Sequence, residues 1–121
     1  MSTDCRPKTI FSDIDGVLFA HCGDILKQAT TIPQVLPGVL DRFREWDRAG
    51  YRIILVSGRR ESMREDTEHQ LRVAGIIYDE LIMGVGGGVR VLINDRKPGG
   101  TEDTAIAVNL ERNAGLEGVK I

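Results

Sequence analysis

The sequence predicts an α/β domain with a mostly parallel central sheet, and three observations lead there. Short β-favouring apolar runs alternate with longer stretches whose apolar residues recur at three- and four-residue steps. One run, residues 53–56, is continuously apolar, as expected of a strand covered on both faces of a parallel sheet. Acidic, hydroxyl and cationic residues follow directly after strand-like runs, and open parallel sheets bind ligands beyond those strand ends. With right-handed crossovers, this order gives a Rossmann-like three-layer sandwich.

The elements follow in chain order. Residues 8–11 open an apolar, β-favouring run that ends at Ser12-Asp13-Ile14-Asp15-Gly16, a first strand emptying into a loop. Residues 17–34 alternate unevenly and contain Gly23 and Pro33, which suits a hairpin or flap-like segment better than a helix. Leu36, Val39, Leu40, Phe43, Trp46 and Ala49 then line one helical face, with Gly50 as the stop. Residues 51–56 form the second strand, and Ser57-Gly58-Arg59-Arg60 the turn after it. A second helix is expected over about 61–74, with Met63, Thr67, Leu71 and Ala74 inward and acidic residues early, where its dipole favours them. Residues 80–83, 89–93 and 105–110 read as three further strands.

The chain has 121 residues, 41% of them hydrophobic and 28% charged, with a formal charge of −2. That size and balance suit one soluble domain over 1–121. No basic patch argues for nucleic acid as a partner, and no polybasic or long apolar stretch for a membrane. Residues 1–8 are polar and lack a secretory core. Cys5 and Cys22 have no metal-ligand spacing and are expected as reduced thiols, so the cytoplasm is the default location.

The strand ends carry the chemistry. The first delivers Asp13 and Asp15, the second Ser57, and the run at 89–93 delivers Asn94, Asp95, Arg96 and Lys97. Asp13 and Asp15 are two residues apart, so in extended backbone they point the same way. Two close carboxylates repel unless a cation or a proton lies between them. Oxygen ligands favour a hard ion, and Asp95 as a third carboxylate completes a magnesium site. An Asp-x-Asp-Gly run is by itself also a common turn; its company at the other strand ends favours the chemical reading.

Phe11-Ser12-Asp13-Ile14-Asp15-Gly16-Val17 resembles the first motif of the haloacid dehalogenase superfamily, an Asp-x-Asp pair after strand one. Residues 53–59, ending in Ser57-Gly58-Arg59, are similar to its second motif, and Val91-Leu92-Ile93-Asn94-Asp95 to its fourth. The resemblance implies a magnesium-dependent phosphomonoester hydrolase. In that reading Asp13 is the nucleophile, forming an aspartyl-phosphate, and Asp15 the general acid and base. Asp13, the Asp15 carbonyl and Asp95 would hold Mg2+, and Ser57 would donate to a phosphoryl oxygen. The second aspartate favours a phosphatase over a dehalogenase. No insertion large enough for a cap follows either motif, so the resemblance is to the capless branch. An open site of that kind takes a bulky substrate or borrows cover from a neighbouring subunit, as a homo-oligomer. Phosphorylated sugars or similar small metabolites are the expected substrates.

The third motif, a Lys or Arg on a helix before strand four, has no such place here. Gly84-Val85-Gly86-Gly87-Gly88 leaves no room for that helix and reads as a tight crossover. Arg90 precedes Asp95 by five residues, roughly 16 Å in strand geometry, at the wrong edge of the sheet. Lys97 is the preferred replacement cation, with Arg59 as fallback or as a grip on substrate alongside Gly58. His21 and Cys22 are neighbours whose side chains diverge, Trp46 belongs to the core, and Arg42, Arg44 and Arg48 form a solvated helix face. Two other readings remain: a non-catalytic phosphate-binding domain of this fold, and a receiver-like phospho-acceptor module. The latter carries its acceptor aspartate after strand three, where this chain has Met83-Gly84.

Overall fold

The computed structural model describes residues 5–121, apart from the side chains of Ile25 and Ala29; residues 1–4, half of the polar start, lie outside the described residues. In chain order come β1 (Thr9–Ser12), α1 (Ile25–Thr30), α2 (Val39–Arg48), β2 (Arg52–Val56), a 3-10 turn (Glu61–Met63), α3 (Arg64–Ala74) and β3 (Glu80–Ile82). The strands are parallel, with β2 between β1 and β3. This is an open, Rossmann-like α/β sheet, and no cap domain interrupts the described residues.

The periodic segments fold as their spacing requires. Val39, Phe43 and Trp46 are the buried stripe of α2, and the Phe43 and Trp46 rings lie 5.2 Å apart. Gly38 precedes them at φ +79°, and a Cβ there would collide with the backbone of Glu117, so a side chain would push the C-terminal segment away. On α3 the buried residues are Thr67, Gln70 and Leu71, so two of its inward positions are polar.

Burial differs between the two sheet faces. Ile53, Leu55 and Leu81 point into a core shared with Phe43 and Trp46 of α2, Leu71 of α3, Ile14, Leu18 and Phe19 of the first loop, and Leu116. The alternate residues face the other way, and there Phe11 is 54% and Ile82 45% exposed.

Residues 17–34 are closed at their base by Leu36 N–H donating to Leu18 O and Ala20 N–H to Gln34 O, both at 2.9 Å. The segment also contains α1, a helix the uneven alternation did not announce, started by Asp24 Oδ1 accepting from the Leu26 and Lys27 amides.

Two expected strands are corrected. Among the described residues no strand follows β3, and 89–93 and 105–110 are irregular. Val89, Val91, Leu92 and Ile93 are 95%, 78%, 58% and 90% exposed. Joining the sheet in parallel needs a crossover of about a dozen residues, whereas 84–88 supplies only five. Instead, 94–104 closes on itself: Arg96 pairs with Asp103 at 2.7 Å, Asn94 Nδ2 donates to Thr104 O, and Thr104 Oγ1 donates to Asp95 O.

Candidate active site

The site begins where β1 ends. The backbone after Ser12 turns tightly: the Leu18 and Phe19 amides both donate to Ile14 O, and Gly16 N–H donates to Phe19 O at 2.7 Å. Gly16 takes φ +88°, which a side chain would oppose, and a Cβ there would meet the Arg112 side chain at 3.3 Å. Ile14 is completely buried, and the aspartates on either side of it remain partly accessible.

Those aspartates have different surroundings. The Asp15 side chain is 16% exposed and receives a two-pronged contact from Arg59, Nε to Oδ2 at 2.9 Å and Nη2 to Oδ1 at 2.8 Å. Gln28 Nε2 also donates to Asp15 Oδ1 at 2.8 Å. The Arg59 guanidinium has no solvent exposure, and its Nη1 donates to Thr67 Oγ1 at 2.9 Å and Gln70 Oε1 at 2.6 Å. Gln70 Nε2 donates in turn to Gln28 O and Thr31 O. A buried, charge-assisted network therefore ties the loop after β1 to α1, α3 and the end of β2. Asp13 is more open, at 37% side-chain exposure, and Arg90 Nη1 approaches its Oδ1 to 3.3 Å.

Ser57 is 1% exposed at the end of β2. Its Oγ accepts from Arg59 N–H at 3.0 Å, its own amide donates to Ile82 O, and its carbonyl accepts from Val85 N–H. Gly84 N–H adds a bond to Arg59 O at 2.7 Å, so the loops after β2 and β3 are fastened together. Gly58 lies between, its Cα facing Val85 O closely enough that a Cβ would sit at 3.2 Å.

The sequence-derived set is thus brought together in part. Asp13, Asp15, Ser57, Gly58 and Arg59 converge at the ends of β1 and β2. Arg59 meets Asp15 with a wholly buried guanidinium, which corrects its expected role as a grip on substrate. Lys97 is exposed in a turn closed by Gly100 N–H on Lys97 O, and Asp95 is exposed in the same self-bonded loop. Among the described residues no three acidic, histidine or cysteine side chains are grouped to hold a metal ion. Asp13, Asp15 and Asp95 therefore form no three-carboxylate cage, because 89–93 does not pair as a strand and Asp95 stays in its own closed loop. Arg90, set aside on strand geometry, is the cation beside Asp13, since that distance presumed a strand that does not form.

Gln28, Thr67 and Gln70 were missed. A signal existed for two of them: Thr67, Gln70 and Leu71 share one helical face, and polar side chains on an inward face require buried partners. Gln28 gave none. The C-terminal segment also joins here, as Asn113 N–H donates to Gly16 O and Asn113 Oδ1 accepts from His21 N–H.

No protein-family model and no curated protein matches the chain. Solved structures do. The chain is similar to one in the structure of a Pnkp1/Rnl/Hen1 complex, 32% identical at a TM-score of 0.57, covering 70% of this chain and 30% of that one. A structure of the Pnkp1/Rnl/Hen1 RNA repair complex gives 32% identity and 0.57, over 69% of this chain and 28% of that one. The D,D-heptose 1.7-bisphosphate phosphatase from B. bronchiseptica, complexed with magnesium and phosphate, is 17% identical at 0.45, over 66% and 51%. These likenesses are of fold, an open and Rossmann-like parallel α/β sheet. The chain spans about 30% of the length of the first two proteins it matches.

Proposed function

We propose that the chain hydrolyses phosphomonoesters through an aspartyl-phosphate on Asp13. One observation carries this reading: two carboxylates two residues apart are treated differently, Asp15 clamped by Arg59 and Gln28, Asp13 left open. Environments that separate paired carboxylates assign them separate roles. Asp13 attacks phosphorus, so that one difficult displacement becomes two easier ones. Asp15 gives a proton to the departing ester oxygen and later takes one from the hydrolytic water. Ser57, whose Oγ already accepts from the Arg59 amide, keeps its hydroxyl proton for a phosphoryl oxygen. Arg90 brings positive charge to the place where phosphoryl oxygens would gather.

Magnesium belongs to this reading as the cofactor implied by the motif resemblance. When bound, it would offset charge between the nucleophile and the phosphate. The described residues offer Asp13 and the Asp15 carbonyl, without the three-carboxylate cage, and no step above passes through the ion. Substrates are proposed to be phosphorylated sugars or similar metabolites. The likeness to a chain in an RNA repair complex adds a phosphorylated oligoribonucleotide to the panel, and with it a check on the expectation of no nucleic-acid partner. No helix of the described residues is long and apolar enough to cross a membrane.

The deciding measurement is turnover of p-nitrophenyl phosphate by the full chain, with magnesium and after chelation, beside Asp13→Asn. We expect magnesium-restored turnover that falls at least about a thousandfold in the variant. Stable phosphorylation of Asp13 without turnover would favour the receiver-like module. Phosphate binding without either would favour the non-catalytic domain.

A further inference from the structure

We propose that Gln28, on the α1 flap, is a positioning residue that selects which Asp15 oxygen transfers the proton; this rests on the phosphatase reading above. The Gln28 amide has a fixed orientation. Its Oε1 accepts from the Cys22 amide at 3.0 Å, and only an oxygen can face that donor. Its Nε2 must then face the other way, where it donates to Asp15 Oδ1 at 2.8 Å and to Ala20 O at 2.9 Å. The residue is 5% exposed, so water does not compete for these bonds.

A carboxylate oxygen has two lone-pair sites. Asp15 Oδ1 uses both, one for Arg59 Nη2 and one for Gln28 Nε2. Asp15 Oδ2 uses one, for Arg59 Nε. The remaining site, on Oδ2, is therefore the one that carries the transferable proton. In the first half-reaction the Asp13 oxygen–phosphorus bond forms as the ester phosphorus–oxygen bond breaks. The leaving oxygen departs with that electron pair and takes the proton from Oδ2. Without Gln28 both oxygens keep an open site, and the proton divides between a productive and an unproductive position. Gln70, donating to the Gln28 and Thr31 carbonyls, holds α1 in place for this contact.

Leaving-group dependence separates this role from a merely structural one. An alkoxide needs its proton during departure, whereas p-nitrophenolate leaves readily without one. The test compares kcat/KM for an alkyl phosphate and for p-nitrophenyl phosphate, each pair of values from one preparation, in wild type, Gln28→Met and Gln28→Glu. Gln28→Met removes the donor, and Gln28→Glu keeps the shape but puts an oxygen against Asp15 Oδ1. We expect the alkyl-to-aryl ratio to fall about tenfold in both, a fraction of what a general acid contributes. The ratio does not depend on the fraction of protein folded, so loss of stability does not mimic it. Equal losses on both esters in an active wild-type background would overturn the inference alone. A wild-type chain inert towards both esters would remove the phosphatase reading and this inference with it.

Discussion

Two stretches of this chain have nearly the same apolar, β-branched character and opposite fates. Ile53, Ile54 and Leu55 in β2 are 2%, 8% and 0% exposed, whereas Val91, Leu92 and Ile93 are 78%, 58% and 90% exposed. What separates them is how the chain arrives. Residues 13–51 lie between β1 and β2 and include α1 and α2, ample length for a parallel return. Five residues lie between Met83 and Val89, and they cannot make that return. A strand-like run specifies what would pair if a neighbour were reached; the connection decides whether one is. The same contrast divides the chemistry. Asp13, Asp15, Ser57 and Arg59 follow strands that pair, and Asp95 and Lys97 follow the run that does not.

The largest effect expected of that contrast lies in the buried network. Arg59→Met removes a guanidinium with no exposure and leaves Asp15, Thr67 and Gln70 without their shared donor. Breaking a buried pair from one side costs about 3–5 kcal/mol, read as a lower urea midpoint at unchanged slope. A loss under about 1 kcal/mol, the range of surface pairs, would mean the network is open to water.

Next comes a direct test of the two apolar runs. Leu55→Ala should cost about 2–5 kcal/mol as a cavity-forming core change, and Ile93→Ala no more than about 0.5 kcal/mol, as for an exposed position. Comparable losses at the two positions would show that 89–93 is packed in the working protein, and the contrast drawn above would collapse.

These pairs also explain what could be read from the sequence. The spacing of Asp13 and Asp15, the apolar run ending at Ser57, and the helical stripe of Val39, Phe43 and Trp46 are local patterns. The local backbone enforces them, so the open α/β fold and the first two strand ends were legible. Arg59 finds Asp15 across 44 residues, and Gln70 reaches the Gln28 carbonyl across 42. Partnerships of that range are set by packing, and no local period encodes them. Residues 89–93 misled for the complementary reason: their period is right, but the missing element is the crossover, and Asp95, Lys97 and the dismissal of Arg90 all inherited that error.

The smallest effect bears on the cation beside the nucleophile. Arg90 and Asp13 are 40% and 37% exposed, so their contact contributes no more than about 1 kcal/mol to folding. Its consequence should instead appear in turnover, because the guanidinium lies 3.3 Å from the attacking carboxylate, where phosphoryl charge would accumulate. Arg90→Met should lower kcat/KM about tenfold, or about 1.4 kcal/mol in the barrier, with the urea midpoint nearly unchanged. Lys97→Met should lower kcat/KM less than about twofold, since Lys97 sits in the separately bonded 94–104 loop. A reversed order would mean that this loop folds over the strand ends during catalysis. The unpaired region would then complete the site, and Asp95 would return as a metal ligand, measurable as a higher magnesium requirement in Asp95→Asn.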